Sequence, residues 1–110
     1  MICGIDPGLT GGITFMGNSF FNVLKMPVST LQIANKKTRY INILELRDIF
    51  VQRVGLRTCY IEKQQAMPQQ GLSSTFKTGF GYGILLGTTH IYFNEVVEVR
   101  PQQWKKYFGL

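Results

Sequence analysis

Between Asn42 and Arg53 the hydrophobic period of this chain changes, and that change limits its architecture more than any other feature. Ile43, Leu46, Ile49, Phe50 and Val54 recur at the spacing of one helix face, with Glu45, Asp48 and Gln52 elsewhere. Everything before this segment reads as short apolar runs broken by turn residues. Met1 to Ile5 runs into Asp-Pro-Gly, and Gly11 to Phe15 and Phe20 to Met26 flank Gly17-Asn18-Ser19, giving an antiparallel meander. Pro27 to Arg39 is polar and reads as a connection, with Asn35-Lys36-Lys37-Thr38-Arg39 as a basic loop. Beyond the helix, Gly55 supplies a stop, and Arg57 to Ile61 reads as a fourth strand ending at Glu62. Lys63 to Ser74 is a loop rich in Gln, Pro and Gly, followed by a second helix from Ser74 to about His90. Val96 to Val99 is a fifth strand, and Pro101 opens a last helix carrying Trp104 and Phe108, with Gly109 near its end. The order βββαβαβ followed by a helix predicts a mixed α/β domain around one five-stranded sheet.

A chain of 110 residues, 45% hydrophobic, has the size and composition of one globular domain. No apolar run approaches the ~20 residues that span a bilayer, and no basic-then-apolar leader opens the sequence. A soluble, intracellular protein with no membrane partner is the expectation. Twelve Lys and Arg against six Asp and Glu, net +6, favour a polyanionic partner, nucleic acid first. Cys3 and Cys59 fall inside predicted strands without neighbouring His or Cys, which excludes a zinc site and favours buried, reduced thiols.

The acids divide into two groups. Glu45, Asp48, Glu95 and Glu98 lie where a solvated face accounts for them, whereas Asp6 and Glu62 each end an apolar run. "CGID" at Cys3–Asp6 and "CYIE" at Cys59–Glu62 put a carboxylate at the same offset from a cysteine. If the two strands pair in parallel, both carboxylates leave the sheet together at its carboxyl edge, where open α/β sheets keep their sites. Two such groups repel unless a cation or proton separates them. With only hard oxygen donors at hand, Mg²⁺ or Mn²⁺ is the natural occupant, and a basic protein with a carboxylate-held metal points to phosphodiester chemistry. Asp6 alone would read as a turn former; the matched pair reads as a site. The glycines beside Asp6 match neither phosphate-binding fingerprint, because strand rather than helix follows Gly12. They read instead as room for a tight hairpin and for close approach of a substrate.

Three blocks, "GIDPGLTGGI", "YIEKQQAMPQQGLSSTFKTGFGYGILLG" and "VRPQQWKKYFGL", together resemble the RuvC-type Holliday junction resolvases, above all their phage-type branch. They stand in that family's order and cover about half the chain, and the middle block is the most specific. The first alone is weak, since actin-like ATPases carry a similar glycine-flanked Asp. The resemblance implies a ribonuclease-H-like fold, a homodimer, a phage-encoded protein of the bacterial cytoplasm, and Mg²⁺-dependent two-metal cleavage of branched DNA in recombination and repair. By the same resemblance Asp6 and Glu62 match the first two catalytic and metal-binding carboxylates. Lys63, Gln70, Ser73, Ser74, Phe76 and Lys77 become candidate DNA contacts. Phe76 either stacks on an unpaired base, worth ~1–3 kcal/mol, or packs with Phe80 as a core aromatic.

Gly79, Gly83 and Gly87 recur at every fourth residue of the second helix. Three helical glycines lose roughly 0.8–1 kcal/mol each against alanine, so either the helix lies very near the sheet or two copies cross there. The resemblance implies the dimer. His90, the only histidine, caps or follows this helix, and Trp104, Lys105 and Lys106 read as an amphipathic helix with a buried Trp and solvated or phosphate-facing lysines.

One departure stands out. The family carries its remaining catalytic carboxylates in a C-terminal helix, near an Asp-Ala run, and the sequence reaches Leu110 without one. The chain is then part of a longer resolvase, or draws the missing ligands from another chain or from the substrate phosphate, or binds branched DNA without cutting it. The first is the expectation: residues 1–110 form a single nuclease domain that is C-terminally incomplete, with one sheet face uncovered and apolar.

Overall fold

Five short strands build the sheet that the sequence leads one to expect: β1 (Ile2–Asp6), β2 (Gly12–Met16), β3 (Phe21–Lys25), β6 (Thr58–Glu62) and β7 (Glu95–Val99). They are flanked by α1 (Ile43–Val51), α2 (Leu72–Tyr92) and α3 (Pro101–Tyr107), with β4 (Val28–Ile33) and β5 (Lys36–Ile41) between β3 and α1. The computed structural model describes residues 1–107. The expectations for Phe108 and Gly109, and for the side chains of Trp104 and Lys105, lie outside what it describes. Strand order is β3-β2-β1-β6-β7, antiparallel through β3, β2 and β1 and parallel through β1, β6 and β7.

Alternation along these strands sorts the sheet into two unlike faces. Cys3, Ile5, Ile13, Phe15, Cys59 and Ile61 point to one face and are buried with Leu46 and Phe50 of α1 and Leu85 of α2. Phe50 anchors this core, its ring lying 6.1 Å from Phe15 and 5.3 Å from Phe93, both edge to face. Cys3 and Cys59 are direct neighbours in the register, both free and fully buried. Their mutual hydrogen bond, followed by burial, holds the Cys3 thiol far above the ordinary range.

The opposite face is exposed. Its rows run Phe21–Met16–Ile2–Thr58–Glu95, then Val23–Thr14–Gly4–Tyr60–Val97. Phe21 is 70% exposed, and Ile2, Met16, Val23 and Tyr60 are exposed as well.

Helix α1 begins where Asn42 Oδ1 accepts the Glu45 amide at 3.0 Å. Two of the five residues assigned to its buried stripe do not belong there. Ile43, in the first turn, is exposed, and Val54 is 89% exposed because the helix ends at Val51. Gly55 follows the helix end at a distance and takes φ +77° in the connection to β6.

The larger departure is the β4–β5 hairpin, read from sequence as a polar connection with a basic loop. It pairs antiparallel from Val28↔Ile41 to Ile33↔Lys36, forming a separate two-stranded sheet. Ala34 and Asn35 close it as a two-residue turn, Ala34 adopting φ 55°. Helix α2 also starts earlier than expected, at Leu72, and carries His90 in its last turn.

Candidate active site at the carboxyl edge of the sheet

The parallel pairing of β1 with β6 sets Cys3 opposite Cys59, Gly4 opposite Tyr60 and Ile5 opposite Ile61. One step further along that register stand Asp6 and Glu62, the last residues of their strands. Adjacent strands lie about 4.8 Å apart, so the two carboxylates leave the same face of the sheet side by side. Asp6 is exposed and Glu62 half-buried. Lys25 and Gly12 on one flank and Val99 on the other complete this row.

The glycine-rich turn exists to let Asp6 sit there. A Cβ on Gly11 would fall 2.1 Å from the Asp6 carbonyl oxygen, and one on Gly12 would fall 2.9 Å from that of Leu24. Only glycine allows this approach, and the Gly11 amide closes the turn on the Gly8 carbonyl at 2.9 Å. The Gly8 amide reaches Asp6 Oδ1 at 3.4 Å. Strand β2 follows at Gly12, so no helix N-terminus backs this loop as a phosphate site would require.

Both carboxylates offer hard oxygen donors and neither is committed to an ion pair; among the described residues the single ion pair joins Arg47 to Asp48. That donor set fits Mg²⁺ or Mn²⁺. Among the described residues no group of three or more His, Cys, Asp or Glu converges. Glu98 faces elsewhere, accepting the Tyr82 hydroxyl at 2.5 Å. Burial, and then that bond, hold the Tyr82 hydroxyl well above the usual tyrosine range.

A groove of about 500 Å³ opens between β5 and the first half of α2 and reaches the Pro7–Leu9 turn that follows Asp6. Four of the six candidate DNA contacts, Ser73, Ser74, Phe76 and Lys77, line it together with Gly8 from the Asp6 turn. Phe76 is not a core residue: it is 72% exposed and stacks on the also exposed Phe80 ring, 6.1 Å away and tilted by 18°. Gln70 and Lys63 lie outside the groove. The Gln70 amide is spent on the loop, donating to Ser74 Oγ at 2.8 Å and Thr78 Oγ1 at 3.0 Å and accepting from the Met67 amide. Lys63 continues the strand ladder through its amide to Val99.

Thr38, Arg39 and Tyr40 form the groove's other wall; the sequence puts the first two in a basic loop and marks none of the three as a site residue. The alternation of Val28, Thr30 and Gln32 against Thr38, Tyr40 and their neighbours was the available signal, masked by the polar composition. Gly79, Gly83 and Gly87 are exposed, with open space beside each, so the stripe does not serve close packing on the sheet.

A mixed sheet of order β3-β2-β1-β6-β7, its parallel part ending in an acidic pair, defines a ribonuclease-H-like fold. It is the fold shared with solved RuvC structures. RuvC of Thermus thermophilus in complex with a Holliday junction substrate superposes with a TM-score of 0.57 at 16% identity, covering 96% of this chain and 67% of that one. The structure of Thermus thermophilus RuvC gives a TM-score of 0.50 at 18% identity, over 96% and 66%. The chain thus spans about two thirds of the length of these neighbours. No family model and no curated protein matches the sequence. Among the described residues no helix is long and apolar enough to cross a membrane.

Proposed function

We propose that this chain is a metal-dependent endonuclease domain acting on branched DNA such as Holliday junctions. The observation that carries the reading is the register that brings Asp6 and Glu62 to one sheet edge within a RuvC-like fold. Asp6 and Glu62 would hold Mg²⁺ or Mn²⁺ between them. When bound, such an ion activates water and stabilises the leaving oxygen of a phosphodiester. Further oxygen ligands would come from the DNA phosphate or from another chain.

The residues present have separable tasks. Gly11 and Gly12 keep the β1–β2 turn tight enough to leave Asp6 accessible to a phosphate. Lys77, Ser73 and Ser74 offer a cation and hydroxyls to the backbone of the bound strand, and Phe76, exposed rather than buried, presents a ring on which a base can stack. The smooth Gly79, Gly83 and Gly87 face of α2 suits a second copy of the chain, which would set two such edges on one junction.

A labelled four-way junction with Mg²⁺ tests the reading: the wild-type chain nicks it and Asp6→Asn does not. Intact junction under both proteins, with binding that prefers the junction over linear duplex, would instead establish a non-cutting, junction-binding dimer. The two-carboxylate set is what favours that second reading. Equal, salt-sensitive affinity for junction and duplex would contradict both.

A further inference from the structure

The β4–β5 hairpin stands apart from the central sheet and has no role in building it. Its two faces differ. Register places Lys37, Arg39 and Ile41 on one face together with Gln32, Thr30 and Val28. Ile41 at the root of that face is buried and meets α2, its Cδ1 3.6 Å from the position of a Cβ on Gly81. Arg39 and then Lys37 follow further out on the same face, and Thr38 and Tyr40 of the other face line the groove between the hairpin and α2 as well. Arg39 lines that groove, and its guanidinium comes within 3.5 Å of the Leu9 carbonyl, in the turn that carries Asp6. Lys77 faces it from α2.

The charge around this groove has one sign. Residues 7–41 and 63–92 contain no Asp or Glu, so the hairpin, the Asp6 turn, the loop after β6 and the whole of α2 are free of acids. Pro7, Gly8 and Leu9, which follow Asp6, and Gln64, two residues after Glu62, line the groove, and Glu98 is engaged by the Tyr82 hydroxyl. An acid-free, two-walled groove that carries Arg39 and Lys77 and reaches the Pro7–Leu9 turn after Asp6 has the complementarity of a polyanionic strand. Neither Lys37 nor Arg39 has a carboxylate partner among the described residues.

We propose that the β4–β5 hairpin is a phosphate clamp, in which Arg39 and Lys37 hold the backbone of the DNA strand lying against α2 and deliver it to the Asp6–Glu62 edge. This inference rests on the branched-DNA reading above and adds the element that grips the substrate arm. Each phosphate contact contributes ~0.9 to the slope of log affinity against log salt.

The test is the salt dependence of four-way junction binding, measured by fluorescence anisotropy with Lys37→Ala/Arg39→Ala beside the wild-type chain. The double variant should lose affinity about tenfold or more at low salt and flatten the slope by about 1.8. Lys37→Ala alone, at an exposed position of the hairpin, should give about half of that slope change, so the outcome does not depend on the double variant folding. Arg47→Ala/Arg57→Ala removes the same charge from α1 and from the far edge of β6, and should leave the slope near that of wild type. An equal loss in this control, or an unchanged slope in both hairpin variants while the wild-type chain binds the junction, overturns the clamp and leaves the branched-DNA reading standing. A wild-type chain with no affinity for DNA overturns both.

Discussion

Gly11→Ala is the single-methyl change with the largest consequence the structure contains. The new Cβ would stand 2.1 Å from the Asp6 carbonyl oxygen, 2.8 Å from its carbonyl carbon and 3.0 Å from its carboxylate carbon. Nothing flexible lies in the way, because the first two atoms are backbone. To restore even a 3.0 Å contact, the turn or the end of β1 must move by roughly 0.9 Å, and overpacking of this kind destabilises by about 1–3 kcal/mol or more. That movement falls on Asp6 itself, so the site should suffer with the fold.

Gly8→Ala, three residues away, is the matched control. Its Cβ would find its nearest atoms at 3.9 Å, among them Asp6 Oδ1, and the lost freedom of the unfolded chain should leave it neutral or more stable by up to ~1 kcal/mol. Urea denaturation of both variants against wild type reads the difference, and a stability gap of at least ~2 kcal/mol between them is expected. If Gly11→Ala unfolds with the same midpoint as Gly8→Ala, the close approach that positions Asp6 does not exist and the derivation of the site from the turn fails.

Other expectations follow from the core and its polar edges. Phe50→Ala should destabilise by about 3–5 kcal/mol in the same assay, since Phe50 is fully buried among Phe15, Tyr92 and Phe93, whereas Val54→Ala should change little. Cys3 and Cys59 should resist a thiol reagent until the chain unfolds, because both are buried and the Cys3 thiol is held in its protonated form. The raised Tyr82 titration makes the protonated hydroxyl the one the fold prefers. Its contribution is therefore complete below the ordinary tyrosine value of 10.0 and is lost as pH rises above it. Tyr82→Phe should remove that part of the alkaline decline, read as the difference between the two stability curves from about pH 9 to 11.

The parts of this fold legible in the sequence are those where one physical signal dominates. Cys3–Asp6 and Cys59–Glu62 are short, apolar and end in a carboxylate, so the strands are legible from alternation, while the convergence of their ends also needs the parallel pairing that the structure supplies. The helix of residues 43–51 was visible through its period, but its edges were not: Ile43 and Val54 fit the period while the chain had not yet entered, or had already left, the helix. The β4–β5 hairpin stayed hidden because it is exposed along most of its length, and exposed strands have no apolar alternation to betray them. Half of the groove was missed for the same reason. Phe76 and Phe80 illustrate the converse error, since helical spacing of two aromatics implies a shared face without saying whether anything covers it.

The account turns on whether Asp6 and Glu62 act as one metal-holding pair, and a Mn²⁺ titration followed by paramagnetic broadening of backbone amide signals measures that directly. The amides of Asp6, Gly8, Gly12, Glu62 and Lys63 should broaden first in the wild-type chain, and this selectivity should disappear in both Asp6→Asn and Glu62→Gln. Broadening that begins instead at Glu45 and Asp48, or that persists unchanged at Asp6 and Glu62 in the two variants, would contradict it.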